Sequence, residues 1–312
     1  MIKVFLFVDE SMGRRALNLL INEKIELIGI FSEKKSKDYD FYKSKSKVLN
    51  FKLFYDLNKQ YKKIKEHLSN HNVDILLNIF SYSFIPEEFL NLAKIGAFNL
   101  HPGKLPQYAG LNPVSWTLFN GEKKQHVTLH WMTNKIDSGP IVYSKSFAIN
   151  NKDTAINVMI KSMNIGEKLI IKFIKKIINS SKKIPKIYQN LKNRNYYKNI
   201  IPNSGYINWS NKSNEIFNFV RAFDYKPYDS NWLEPKVIYK KKIFNIIKIK
   251  KTKIKCKLGP GIIFFNKEGS MQVSTLDNWI IILKIKYKNK YINPIKYFKI
   301  KDKFQIINDP SK

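Results

Sequence analysis

The first hundred residues alternate short apolar runs with amphipathic stretches, and this alternation restricts the fold more than any other feature. MIKVFLFV reads as a buried first strand. Ser11 to Asn22 reads as a helix, with Ala16, Leu17, Leu20 and Ile21 on one face and Ser11 as its cap. KIELIGIF, ending at Phe31, is a second strand. Tyr61 to Asn70 is a lysine-rich amphipathic helix, and VDILLNIF, Val73 to Phe80, is a further strand. Apolar strands separated by helices predict an α/β architecture with a parallel βαβ sheet. Ligands of such sheets lie beyond the carboxyl ends of the strands, where chain order reverses. The loop after Phe80 (SYSFIPEE) and the segment after Ala97 to Leu100 are therefore where chemistry is expected.

Downstream, Pro113 to Asn120 predicts a helix. HVTLHWM and PIVYSKSFAI predict strands joined through Asn134 to Gly139, and Asp153 or Thr154 caps a long helix running towards Ser180. Ser181 to Lys198 reads as a polar linker. INWSNKSNEIFNFVRAF holds one more helix, after which IFNIIKIK, TKIKCKL, GIIFFNKEG, SMQVSTLD and NWIIILKIK give the short-strand pattern of a small β-barrel or sandwich.

Several function classes drop out. Hydrophobic residues make up 44% of 312, enough for real cores, so the chain does not read as disordered. A single cysteine, Cys256, excludes a disulfide scaffold or thiolate metal cluster and suits a reducing compartment. No stretch approaches eighteen apolar residues, so no membrane span is expected. The start lacks the pattern of a signal peptide, which makes the cytoplasm the expected location. VDESMGRR follows the first strand where GxGxxG would stand, and GxxxxGK[ST], HExxH and CxxC are absent. The net charge of +32 would attract any polyanion, but arginine is scarce and the lysines run through the whole chain, the pattern of compositional bias. Lysines 240, 241, 242, 248, 250, 251, 253, 255 and 257 read as a solvated strand face, with a binding surface as the alternative.

The concentrated signal is GAFNLHPGKLPQYAGLNP followed by IDSGPI. Asn99 and His101, two apart at the end of a predicted strand, point to one side of the sheet. Asp137 lies in a glycine-containing connection. Each alone has a structural explanation: a satisfied histidine, a turn-forming aspartate.

FNLHPGKLPQYAGLNPVSW, then NGE, then VTLHWMTNKIDSGPIV, resembles the signature of the formyltransferases that use 10-formyltetrahydrofolate. The resemblance runs from the first strand through the long helix and continues into GYINWSNKSNEIFNFVRAF, which resembles the opening of the C-terminal part of the family's two-domain members. It implies a Rossmann-like formyltransferase sheet with helices on both faces over residues 1–190. Residues 191–312 would be a linker helix region and a smaller C-terminal β-rich, OB-like barrel domain. It also implies a catalytic trio, falling on Asn99, His101 and Asp137, with 10-formyltetrahydrofolate as cosubstrate and no metal.

Physical chemistry gives these residues roles. An amine attacking the formyl carbon leaves a negatively charged oxygen, to which Asn99 and His101 can donate. His101 can also carry the amine proton towards the leaving nitrogen, and Asp137 can orient the imidazole or relay the proton. The resemblance places the folate ring against the backbone of Ser81, Tyr82, Ser83, Phe84, Ile85 and Pro86 and beside Asp137. Tyr82, Phe84 and Ile85 offer apolar lining, with core packing as the plain alternative. Lys104, Tyr108 and Gly110 match the substrate-side loop. Relatives often carry a serine after the His-Pro or His-Gly pair, whereas this chain has Pro102-Gly103-Lys104. Trp116 reads as core, and Arg221 matches a family arginine near the active-site side.

Three acceptors fit the resemblance. Methionyl-tRNA formyltransferases carry a glycine- and arginine-rich insertion after the second strand, while SEKKSKDYDFYKSKSKVLNF has neither residue. Glycinamide ribonucleotide enzymes usually lack a C-terminal domain. The pattern looks nearest to sugar N-formyltransferases, so a nucleotide-linked amino sugar is the expected partner, with initiator tRNA as the alternative. A catalytically dead scaffold is a further alternative that the intact trio opposes. Exposed C-terminal strands leave a homodimer open.

Overall fold

The computed structural model describes residues 1–9, 11–179 and 183–307. The expected helix end at Ser180 and the linker start at Ser181 lie outside them. The chain forms two compact units: 1–110 with 125–147 and 160–196, and 111–124 with 148–159 and 197–312.

The first unit is built on β1 (Ile2–Val8), α1 (Ser11–Leu20), β2 (Ile25–Phe31), α2 (Tyr39–Leu49), β3 (Lys52–Phe54), α3 (Leu57–Asn70), β4 (Ile75–Ile79), α4 (Glu87–Leu90) and β5 (Gly96–His101). The short β6 (Ala109–Gly110) and α5 (Pro113–Phe119) precede β7 (Lys124–Trp131) and β8 (Ile141–Ala148). Strands run in the order β3-β2-β1-β4-β5-β7-β8. The first five are parallel, as expected, and β7 is antiparallel to β5. The order reverses between β1 and β4, so the crevice opens after Val8 and Ile79.

Period-two alternation sends neighbouring residues to opposite faces of this sheet. Phe5, Phe7, Phe31 and Ala97 join Ile64 and Leu68 of α3 and Phe89 of α4 in one core. On the other face Phe98 packs edge-on against Phe173 of α6 (Ala155–Asn179), and a Cβ on Gly166 of α6 would touch both Leu100 and Met12. Helices thus cover both faces.

Two features differ from expectation, and the start of α6 agrees with it. Helix α3 begins at Leu57 because Asp56 accepts a hydrogen bond from the Lys59 N–H and starts the turn early. The lysine-rich stretch after β2, to which the sequence assigns no element, folds into α2 and β3. Tyr42 is the one buried residue of α2, too little apolar periodicity to announce a helix. Before α6, Asn157 accepts hydrogen bonds from both the N–H and the hydroxyl of Thr154, so Thr154 occupies the cap position while its partner does the accepting.

The second unit carries β9 (Tyr196–Tyr197, whose second residue belongs here), α7 (Ser213–Phe223) and β10 (Lys236–Tyr239). Then come β11 (Lys242–Lys255), β12 (Ile263–Phe265), β13 (Met271–Ser274), β14 (Asn278–Tyr287) and β15 (Lys290–Tyr291). IFNIIKIK and TKIKCKL, expected as separate runs, are one strand, β11, whose register against β14 shifts at several points. The sheet order is β10-β11-β14-β13-β12, with β15 on β14. The sheet curls, and the segment after Lys301 bridges its two edges. Phe304 N–H donates to Gly261 O beside β12, and Gln305 N–H donates to Ile238 O of β10. Lys248, Lys250, Lys253 and Lys255 are exposed, while Phe244, Ile246 and Ile249 of the same strand are buried. No described helix is long and apolar enough to cross a membrane.

Candidate active site

At the carboxyl end of β5, Asn99 pairs in register with Asn78 of β4 and His130 of β7. Its amide Nδ2 lies 3.1 Å from Oδ1 of Asp137 and 3.1 Å from Nε2 of His130. His130 Nδ1, 2.7 Å from the Trp131 carbonyl, donates there, leaving Nε2 as an acceptor for Asn99; Nε2 is also 3.3 Å from Asp137 Oδ1. The resting Asn99 amide is therefore held by two partners.

His101 is 5% exposed. Its Nε2 donates to the Tyr108 carbonyl at 2.7 Å, so the free nitrogen is Nδ1, 3.6 Å from Asp137 Oδ2. Burial pulls the imidazole below its usual pKa, against the opposing pull of Asp137. Burial of Asp137 by itself would raise its pKa. The His101 and His130 rings and the Gly110 N–H, which donates at 2.8 Å, outweigh it and hold the carboxyl well below the carboxylate range. This site has one fixed anion and one neutral, proton-accepting imidazole facing each other.

The Asp137 loop is tightly braced. Asp137 takes a positive φ of 52°, and Gln189 Nε2 donates to the carbonyls of Asp137 and Gly139 at 3.0 and 2.6 Å. Arg194 donates to the Ile136 carbonyl at 2.9 Å. The segment from Ile184, expected as a plain linker, is thus part of the site's frame, and Ile187 bridges to Ile141. His130, Gln189 and Arg194 were not singled out from sequence. His130 stands in the quoted VTLHWMT run two residues before the loop begins, a usable signal, whereas nothing local distinguishes Gln189.

The loop of Ser81 to Pro86 is anchored across the switch point. Asp9, 5% exposed, accepts from the Ser81 hydroxyl at 2.6 Å, the Tyr82 N–H at 3.2 Å and the Glu33 N–H at 2.8 Å. Ser81 N–H donates to Asn78 Oδ1, and Ser83 N–H is 3.3 Å from the Ser81 hydroxyl. Among the described residues, the N–H and C=O groups of Phe84 and Ile85 have no hydrogen-bond partner. Pro86 starts α4. Ile85 is buried in the core, while Tyr82 and Phe84 are largely exposed. A cleft of about 550 Å³ runs beside this loop, lined by Phe84, Ile136, Ser138, Leu191, Arg194 and Tyr196 among others.

The substrate-side residues divide. Lys104 is exposed; Tyr108 is buried and contributes its carbonyl; Gly110 contributes its N–H. In the second unit, Trp116 is core, stacked on Tyr197. Arg221 there is buried, donating to Asn218 and to the carbonyls of Asn150 and Asp153, so it secures the turn before α6. Among the described residues no cluster of three or more His, Cys, Asp or Glu could hold a metal ion.

The model of the family described as formyl transferase matches residues 2–174. The chain belongs to the formyl transferase family. The model of that family's C-terminal domain matches residues 199–301, so this formyl transferase carries both domains. It is 32% identical over 231 residues to the bifunctional polymyxin resistance protein ArnA of Wigglesworthia glossinidia brevipalpis. That match covers 72% of this chain and 35% of the other, so the chain spans about a third of that relative's length. The methionyl-tRNA formyltransferase of Clostridioides difficile is 26% identical over 281 residues, 88% of each chain. The N-formyltransferase from Helicobacter canadensis, solved with folinic acid and dTDP-3-aminofucose, superposes with a TM-score of 0.68 at 24% identity, covering 90% of this chain and 99% of that one. That likeness speaks for the fold.

Proposed function

We propose that this formyl transferase moves the formyl group of 10-formyltetrahydrofolate to the amine of a nucleotide-linked amino sugar by direct attack, through a tetrahedral intermediate. One observation carries the chemistry: Asn99 and His101 converge on the Asp137 carboxylate, at 3.1 and 3.6 Å. The bound folate would supply an activated formyl group on a nitrogen ready to leave, chemistry that calls for no metal. The residues fit it. Phe84 and Ile136 offer apolar surface in the cleft, and the unpartnered backbone groups of Phe84 and Ile85 match a ring rich in donors and acceptors.

His101 would take the amine proton on Nδ1, since its Nε2 proton is fixed by the Tyr108 carbonyl, and pass it to the folate nitrogen as the bond from that nitrogen to the formyl carbon breaks. Asp137, whose depressed pKa makes it a poor proton acceptor, stays ionised and stabilises the imidazolium that forms. Asn99 gives up one of its two resting partners and turns that N–H to the developing oxyanion. Ser81 to Pro86 hold the folate, while Lys104, Tyr108 and Gly110 border the acceptor. The catalytic domain is taken as residues 1–190 and the C-terminal domain, read as an OB-like barrel, as 191–312; the cytoplasm is the proposed location.

The sugar acceptor is favoured because the stretch after β2, where tRNA enzymes insert a basic loop, is here the packed helix α2 around Tyr42. The Helicobacter canadensis protein, similar over nearly its whole length, is described as binding an amino sugar on dTDP. Initiator tRNA is the second reading, favoured by the end-to-end match to a methionyl-tRNA formyltransferase. The test is formyl transfer to a panel of nucleoside-diphosphate amino sugars measured beside charged initiator tRNA. Turnover of one sugar with no tRNA formylation supports the proposal; efficient tRNA formylation overturns the acceptor class.

A further inference from the structure

We propose that Arg194 binds an anionic oxygen group of a substrate in the cleft beside the Asp137 loop, either the folate's carboxylate tail or the acceptor's diphosphate. This rests on the reading of function above.

The guanidinium is held but not neutralised. Its Cζ lies over the Tyr196 ring, 4.8 Å from the centroid, and one Nη2 proton goes to the Ile136 carbonyl. Among the described residues that carbonyl is its one acceptor, Nε has none, and no carboxylate pairs with it. Partly burying a guanidinium without a counter-ion is unfavourable. The cleft lining adds a second cation, Lys135, and no acidic residue. A guanidinium fixed by ring stacking and one hydrogen bond presents its remaining Nη protons in the fork that suits carboxylate or phosphate. Phe84 and Ile136 line the same cleft, so a ligand lying on their apolar faces carries its charged end within reach of Arg194.

The test is binding without turnover. Folinic acid, 5-formyltetrahydropteroate (which lacks the glutamate) and the common nucleoside diphosphates are titrated by calorimetry into wild type, Arg194→Gln and Arg194→Lys. If Arg194 takes the tail, Arg194→Gln weakens folinic acid by about tenfold or more, and deleting the glutamate weakens wild type but not the variant. If it takes the diphosphate, the nucleotide alone weakens. Arg194→Lys, which keeps a charge without the fork, falls between. Unchanged affinity for every probe means that Arg194 only braces Ile136, and overturns the proposal. Wild type binding folinic acid rules out that failure being a failure of the functional reading. Wild type binding neither probe class overturns both.

Discussion

Asn99 and His130 face each other across β5 and β7, and both turn to one oxygen, Oδ1 of Asp137, at 3.1 and 3.3 Å. The second histidine accepts from the Asn99 amide and so holds that amide against the carboxylate that serves the first.

Because His130 Nδ1 is spent on the Trp131 carbonyl and Nε2 accepts from Asn99, His130 positions the Asn99 amide without moving a reacting proton. His130→Ala is expected to lower kcat by about tenfold with substrate KM values little changed, and His101→Ala by at least ~100-fold with the fold retained. Steady-state kinetics with circular dichroism check both. A His101→Ala loss under about fivefold removes His101 from proton transfer. An unaffected His130→Ala shows that Asp137 alone holds the Asn99 amide.

Acid should act on stability through His101 and Asp137, with the partly buried His67 adding to the histidine part. Burial lowers the His101 pKa, so as pH falls through about 6.5 the unfolded chain takes its proton first and stability declines, until the folded imidazole is protonated as well. Asp137 adds to the loss lower down. Its contribution is complete above about 3.8 and disappears as pH falls towards its depressed folded value. Urea midpoints of wild type should therefore fall as pH drops below about 6.5, and His101→Gln should flatten that decline. A parallel decline in the variant assigns the acid sensitivity to other groups.

What the sequence reveals follows from where each signal is stored. The parallel sheet is legible because β1, β2 and β4 are largely apolar, and the meeting of Asn99, His101 and Asp137 because they stand in a distinctive local pattern. Helix α2 is illegible because it buries one side chain, Tyr42. The brace on the Asp137 loop is illegible because Gln189 reaches back 52 residues, a contact with no local trace. The lysines of β11 hid a single strand whose apolar positions shift register at its bulges.

The switch-point anchor predicts an effect on folate affinity. Asp9 ties together the ends of β1, β2 and β4 by accepting from Glu33, Ser81 and Tyr82. Asp9→Asn keeps the volume but replaces one acceptor oxygen with a donor, which must then face a donor it used to accept from. Loosening of the Ser81 loop should raise KM for 10-formyltetrahydrofolate by about tenfold and leave the acceptor KM near wild type. An equal rise for both substrates would mean that the loop serves the whole cleft.

Gly139 offers the sharpest separation of loop placement from chemistry. A Cβ there would lie 2.0 Å from the Trp131 carbonyl oxygen, a backbone atom that cannot swing aside. The same residue's carbonyl accepts from Gln189, so displacing it also loosens that brace. Gly139→Ala should push the Asp137 loop away from Asn99 and His101, costing about 1–3 kcal/mol of stability as overpacking does, and lowering kcat by more than Gln189→Ala. Thermal unfolding and single-turnover formyl transfer on the two variants make the comparison. If Gly139→Ala keeps full activity while losing stability, Asp137 does not depend on its loop for placement, and its hydrogen bonds to Asn99 and Gly110 suffice to position it.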